Sequence, residues 1–143
     1  MSTTSTLDRM AIESLARGAG ADDLAFIDLE RPELSEQRSS LIQALPWARS
    51  IMVFARRLNR HALRSPLRSV ASAEFHAGAH HVKAVIHQVV RDLEDSGVRA
   101  AGLSGLFPFD FGRTEGTPFV VQLKLLAEAA GLGLMGKNRM VLH

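Results

Sequence analysis

The glycine-rich segment near the end of this chain, AGLGLMGKNRMVLH, most constrains how the chain can fold. Gly131, Gly133 and Gly136 spell G-x-G-x-x-G, and Lys137 also completes G-x-x-x-x-G-K, the spacing of a Walker loop. Both phosphate-binding motifs need a strand before the glycines and a helix after them, because the helix N-terminus faces the phosphates. Here a helical pattern comes first and the strand-like run MVL follows. The sequence therefore predicts the end of a helix and a tight turn into a strand.

A helix is predicted immediately before these glycines. Thr117 suits the capping position, and Pro118 suits the first helical position. The apolar positions that follow form a helical surface: Val120, Val121, Leu125, Leu126 and Ala129. Gly131 is predicted to end this helix in the left-handed conformation. Asn138 stands where a Walker loop carries Ser or Thr, which also argues against nucleotide binding.

Helix and strand patterns alternate along the rest of the chain. They predict a helix over residues 7–15, a strand over 24–29, a short helix over 41–45, a strand at Ser50–Ala55, a long helix over about 70–96 and a strand over 98–102. The strand at Ser50–Ala55 holds an unbroken apolar run, which is typical of burial on both faces. We predict one α/β domain over residues 1–143, with helices on both faces of a largely parallel sheet.

The last predicted strand, over residues 139–143, has no further element after it to cover its edge. An uncovered strand edge can pair with a strand of another chain. We therefore expect a sheet that is incomplete at the C-terminus, and self-association through this edge.

Composition narrows the class of protein. With 143 residues, of which 46% are hydrophobic, the chain can bury a core of its own. No apolar run is long enough to cross a bilayer, and no secretion signal is recognisable, so a cytoplasmic protein that is not bound to a membrane is expected. The chain has no cysteine, which excludes thiolate zinc sites and iron–sulfur clusters with the usual cysteine ligands.

Several segments resemble one known family. The run LAEAAGLGLMGKNRMVLH is similar to the A-G-L-G-x-x-G-K-N/H signature of the epoxyqueuosine reductases and their relatives, which include the cobalamin-dependent reductive dehalogenases. Three upstream segments agree with the family in the same order. They are LARGAGADDLAFIDL, the L-P-x-A-x-S segment ALPWARSIMVFARRL, and LEDSGVRAAGL.

The resemblance implies a nitroreductase-like α/β fold and a site for cobalamin. In the family, the counterparts of eight residues of this chain lie against cobalamin: Gly131, Leu132, Gly133, Leu134, Met135, Gly136, Lys137 and Asn138. Flavin in the same pocket is an alternative, because the family is similar to flavin-dependent nitroreductases. The resemblance further implies a ferredoxin-like, cysteine-rich module downstream, or an iron–sulfur partner, to deliver electrons. It also implies transfer RNA as a possible partner.

Residues 104–118, SGLFPFDFGRTEGTP, are where we expect any chemistry. They follow a predicted strand and precede a predicted helix, which is where open α/β sheets bind ligands. Asp110 and Glu115 are candidate proton donors, although ordinary surface charge explains both more simply. Arg113 suits an anion, and Phe107, Phe109 and Phe111 can line a flat ring or fill a core. The resemblance implies an acidic proton donor near Thr117; the dehalogenases use a tyrosine, and this chain has none.

The basic loop, residues 56–68, concentrates arginine in a span without any acidic residue. Guanidinium groups pair with phosphates and carboxylates, so this loop is a candidate anion-binding surface. Its candidate residues are Arg56, Arg57, Arg60, Arg64 and Arg68. The alternative is an exposed loop without a ligand. A net charge of only +2 and the presence of a single tryptophan argue against general nucleic-acid binding.

Three histidines share one face of the predicted long helix: His76, His80 and His87. A solvated face explains them most simply, and the core-facing stripe is predicted to be Phe75, Val82, Ile86, Val89 and Leu93. His76 and His80 are one turn apart, so they are the candidates for holding a metal ion, with further ligands from elsewhere. His87 lies too far along the axis to join them.

Two functions from different classes follow. The chain is either the cobalamin-binding part of a reductase that cannot deliver electrons alone, or a non-enzymatic α/β module that oligomerises or docks an anionic partner through the basic loop. Whether the chain is itself an enzyme is left open.

Overall fold

A computed structural model describes residues 7–103, 122–137 and 141–143. The helices are α1 (Arg9–Gly18), α2 (Ser35–Ala44), α3 (Arg60–Leu63), α4 (Arg68–Asp95) and α5 (Leu123–Ala129), with a single 3-10 turn at Pro32–Leu34 before α2. The strands are β1 (Asp23–Asp28), β2 (Ser50–Ala55), β3 (Leu134–Met135) and β4 (Val141–Leu142). The predicted α/β class is confirmed. The chain divides into two compact units, the first made of residues 1–24 and 54–102 and the second of residues 25–53 and 103–143.

Helix α1 is defined by its two ends. The Asp8 carboxylate accepts a hydrogen bond from the Ala11 amide at 2.7 Å, which satisfies one of the free donors of the first turn. At the other end the Ala21 amide donates to the Ala16 carbonyl, and the Gly20 amide donates to the Arg17 carbonyl. This is the Schellman pattern that commonly ends helices. It leads the chain directly into β1.

In the first unit, α1 and α3 both pack against α4. Ala16 from α1 is buried, as are Val85, Val89 and Leu93 from α4. The predicted stripe on the long helix is therefore right for Val89 and Leu93.

The same prediction is wrong for Phe75, which is 56% exposed. Val85, which the prediction left out, is buried instead. Both helices that pack against α4 are shorter than it: α1 has 10 residues and α3 has 4, whereas α4 has 28. At 1.5 Å per residue, α1 is about 15 Å long and α4 about 42 Å. A helix as short as α1 cannot cover the whole apolar stripe of α4.

The core of the second unit is a cluster of buried aliphatic side chains: Ile27, Leu29, Leu34, Leu41 and Leu126. Ile51 and Val53 of β2 pack against it. Helix α2 also buries a polar side chain, that of Gln37. Its Oε1 accepts a hydrogen bond from the Gln122 amide at 2.9 Å, which ties the start of α5 to α2.

Both strand pairs of the described residues are antiparallel, so the prediction of a largely parallel sheet is wrong for them. At one end of the β1–β2 pair the Asp22 amide donates to Ala55, and at the other end the Leu29 amide donates to Arg49. The start of β1 thus lies beside the end of β2. Alternating helix and strand patterns are compatible with either strand direction, because direction depends on how the connecting segment folds back.

Two further strand predictions differ from the structure. Residues 98–102 belong to no helix or strand. Strand β2 has the predicted bounds, but its side chains are half-buried or exposed rather than buried on both faces. A pair of strands has fewer neighbours to cover it than the wide sheet that the apolar run suggested. Within the described residues, no helix combines the length and apolar character needed to span a membrane.

Candidate functional site

The glycine-rich segment begins with the end of α5. Gly131 has a φ of +82°, a conformation that costs other residues free energy because of their Cβ atom. Its amide donates to the Glu128 carbonyl at 3.0 Å, and the Leu132 amide donates to the Ala127 carbonyl at 2.9 Å. These two hydrogen bonds form a Schellman motif. The predicted role of Gly131 as the end of a helix is confirmed.

A short hairpin follows the glycine turn. Strand β3 pairs antiparallel with β4, so that Leu134 lies opposite Leu142 and Met135 lies opposite Val141. The order is therefore helix, glycine turn and strand, as predicted. It is the reverse of the order in which a nucleotide-binding loop uses its glycines.

A side chain from α5 holds this hairpin in position. Glu128 Oε1 accepts a hydrogen bond from the Met135 amide at 2.9 Å. Leu132 is buried, whereas Leu134 is 73% exposed and Lys137 is also exposed. Among its described residues, the segment thus presents the apolar side chain of Leu134 and the cation of Lys137 to solvent. Sequence reasoning missed Glu128, whose position three residues before a helix-ending glycine is a usable signal.

Some predicted site residues lie outside the described part of the chain. This holds for Asn138, and for the candidate proton donors Asp110 and Glu115. It also holds for Arg113 and the three phenylalanines of the same segment: Phe107, Phe109 and Phe111. Thr117 and Pro118 are likewise outside, and the described helix α5 begins at Leu123.

In the first unit, the basic loop is anchored by acidic residues from elsewhere in the sequence. Arg56 Nη1 donates to the Gly20 carbonyl at 2.8 Å and lies 3.8 Å from an Asp22 carboxylate oxygen. The same carboxylate accepts from the Arg57 amide at 2.8 Å. Glu74 of α4 accepts from the Asn59 amide at 2.6 Å. The candidate anion-binding residue Arg56 is therefore already engaged by the protein.

The other four candidate arginines are exposed: Arg57, Arg60, Arg64 and Arg68. No carboxylate of the described residues lies within ion-pair distance of their guanidinium groups. Asn59 caps α3 by accepting from the His61 and Ala62 amides at 3.0 and 3.1 Å. This short helix carries Arg60 and the cap residue Arg64, so the two side chains are displayed from one ordered turn.

The structure confirms that the histidine face of α4 is solvated. His76, His80 and His87 are all exposed. Among the described residues, no three histidine, aspartate or glutamate side chains converge as a metal site. His76 Nδ1 lies 2.7 Å from the Ser72 carbonyl oxygen.

One carboxyl of the second unit, that of Glu33, has a strongly shifted pKa. Arg31 donates to Glu33 from Nη2 at 2.8 Å and from Nε at 3.2 Å, and this hydrogen bonding lowers the pKa of Glu33 to about 2. Both side chains are exposed, so the pair contributes little to stability. Its shifted pKa marks a local surface ion pair rather than a catalytic group.

Comparison with known proteins leaves the family open. No protein-family model, curated protein or solved structure matches this chain significantly.

Proposed function

We propose that this chain is the corrinoid-binding part of a reductase similar to the epoxyqueuosine reductases, built on a nitroreductase-like sheet with helices on both faces. Support comes from the A-G-L-G-x-x-G-K-N resemblance together with the geometry of that same segment. The observation that carries the proposal is the turn at Gly131 followed at once by the β3–β4 hairpin, with Leu134 and Lys137 exposed.

The residues of this segment fit a large ring with an apolar face and a polar rim. A side-chain carbon added at Gly131 would meet nothing within 4 Å, so a ligand has room to approach the backbone there. Leu134 offers an apolar contact, and the Lys137 ammonium suits the amide or phosphate groups of a corrinoid rim. The hydrogen bond from the Met135 amide to Glu128 ties β3 to α5, and ordering of this backbone before binding lowers the entropy that binding must remove.

A bound corrinoid would supply the metal centre for electron chemistry, and the chain would orient it and exclude water from one face. The chain has no cysteine, so electrons would come from an iron–sulfur centre on another module or partner. Neither candidate proton donor, Asp110 or Glu115, enters this proposal.

Cobalamin titration of the purified chain, followed by visible absorbance and by heat of binding, tests the proposal. We expect saturable uptake by the unmodified chain. Leu134→Ala and Lys137→Gln are each expected to weaken binding by about tenfold, the loss of one good contact. Leu123→Ala and Lys124→Gln are matched controls, because they remove an exposed leucine and an exposed lysine from α5.

Circular dichroism should show that every variant keeps its helical content. If a folded chain takes up no cobalamin at high concentration, the corrinoid proposal is wrong. Equal weakening by the control variants would also contradict it, because binding would then not depend on the hairpin.

The second candidate function is docking of an anionic partner through the basic loop, with transfer RNA as the partner that the resemblance suggests. The supporting observation is that Arg57, Arg60, Arg64 and Arg68 are exposed without a carboxylate partner among the described residues.

Transfer-RNA binding measured across a salt series tests this second function. Arg60→Gln combined with Arg64→Gln is expected to weaken binding and to reduce the slope of log K against log salt by roughly 2. Arg91→Gln, an exposed position on α4 away from the loop, serves as the control. An unchanged slope in the double variant would contradict docking through the loop.

A further inference from the structure

Two exposed histidines of α4 are spaced so that both could bind one metal ion. His76 and His80 are four residues apart in a continuous α-helix, and both are exposed. Side chains at this spacing lie one above the other, about 6 Å apart along the axis. The same spacing allows two helical histidines to hold one zinc ion in metalloproteases.

The hydrogen bond of His76 determines which of its nitrogens is free. Nδ1 lies 2.7 Å from the Ser72 carbonyl oxygen, and a carbonyl can only accept. Nδ1 therefore carries the proton, and Nε2 of the neutral ring keeps its lone pair. Histidines that bind metals usually donate their other ring N–H to a carbonyl or a carboxylate in this way, which fixes the tautomer and the ring orientation.

We propose that His76 and His80 form an open site for one divalent transition-metal ion, bound through Nε2 of His76 and one ring nitrogen of His80. Water completes the coordination, because no third histidine or carboxylate of the described residues joins the pair. Imidazole ligands select copper, nickel and zinc over magnesium and calcium, and the expected order of affinity is Cu²⁺ above Ni²⁺ and Zn²⁺.

His87 on the same helix face provides an internal control. It is exposed like the pair, but it follows His80 by seven residues, about 10 Å along the axis. One ion with metal–nitrogen distances of about 2.0–2.1 Å cannot reach both His80 and His87. His87 thus lies on the same helix face but is too far from His76 and His80 to share an ion with them.

The test is a metal titration of the untagged full chain, followed by the heat of binding. We expect one ion per chain for Cu²⁺, Ni²⁺ and Zn²⁺, and no binding of Mg²⁺. His76→Ala and His80→Ala should each weaken metal binding by about tenfold or more. Removing only the group that hydrogen-bonds a metal-binding histidine typically costs at least tenfold in affinity, and removing the histidine itself should cost no less. His87→Ala should leave the affinity unchanged.

A second measurement on the unmodified chain does not depend on any variant folding correctly. In NMR spectra of the histidine rings, Zn²⁺ should first shift the signals of His76 and His80. The proposal is wrong if His87→Ala weakens binding as much as His76→Ala does, if other histidine rings shift first, or if the folded chain binds none of the three metals at millimolar concentration.

Discussion

Replacing Leu34 by alanine is expected to lower the free energy of unfolding by about 2–5 kcal/mol, the range for a fully buried leucine. Leu34 is 0% exposed and belongs to the aliphatic cluster of the second unit, together with Ile27 and Leu126. The substitution removes buried apolar area and leaves a cavity that rigid neighbours fill only in part. Urea denaturation followed by circular dichroism measures the loss as a shift of the midpoint.

Leu134→Ala is the matched control for this experiment. It removes the same atoms from a residue of the same unit that is 73% exposed, so its effect on stability should stay within about 0.5 kcal/mol. If Leu34→Ala were as mild as Leu134→Ala, the cluster around Leu34 would not be the core of this unit. Leu134→Ala then also serves in the cobalamin titration, because its loss of binding would not result from unfolding.

Gly131→Ala is expected to lower the free energy of unfolding by about 1–2 kcal/mol, the cost of a left-handed conformation for a residue with a Cβ atom. Gly131 has a φ of +82°, and a Cβ at this position would meet no other atom within 4 Å. The loss would therefore come from the backbone alone, without any steric clash. Denaturant unfolding measures this loss of stability. Gly97 has the same φ and equally open surroundings, so Gly97→Ala should cause a loss of the same size.

Gly18→Ala provides the opposite control. Gly18 is the last residue of α1, and a Cβ there also meets open space. Alanine in a helical conformation restricts the unfolded chain more than glycine does, so this variant should be more stable by about 0.5–1 kcal/mol. A loss of stability at Gly18 equal to the loss at Gly131 would show that backbone conformation is not the cause.

The basic loop illustrates what a linear sequence leaves out. Its arginines stand in a span without acidic residues, which suggested an unneutralised cationic surface. In the fold, however, Asp22 lies against Arg56 and accepts from the Arg57 amide, and Glu74 accepts from the Asn59 amide. These acids are 15 to 35 residues away in sequence. Part of the candidate anion-binding surface is therefore used to order the loop itself.

The helical stripe of α4 shows a similar limit. Periodicity correctly assigned Val89 and Leu93 to the buried face, because the spacing of 3.6 residues depends only on the helix itself. It assigned Phe75 to the same face, yet Phe75 is 56% exposed. Periodicity tells which residues share a face, whereas burial requires a neighbouring element long enough to cover that face.

Local patterns were enough to predict the α/β class, the bounds of β2 and the end of α5 at Gly131, because these depend on interactions between residues close in the chain. The packed fold was needed to reveal four other features: the antiparallel strand direction, the partners of the basic loop, the hydrogen bond from the Met135 amide to Glu128 and the exposure of Phe75. Most of these depend on segments distant in sequence, whose packing no local pattern specifies. The Glu128 contact bridges only seven residues, but it forms across a turn that must first fold back.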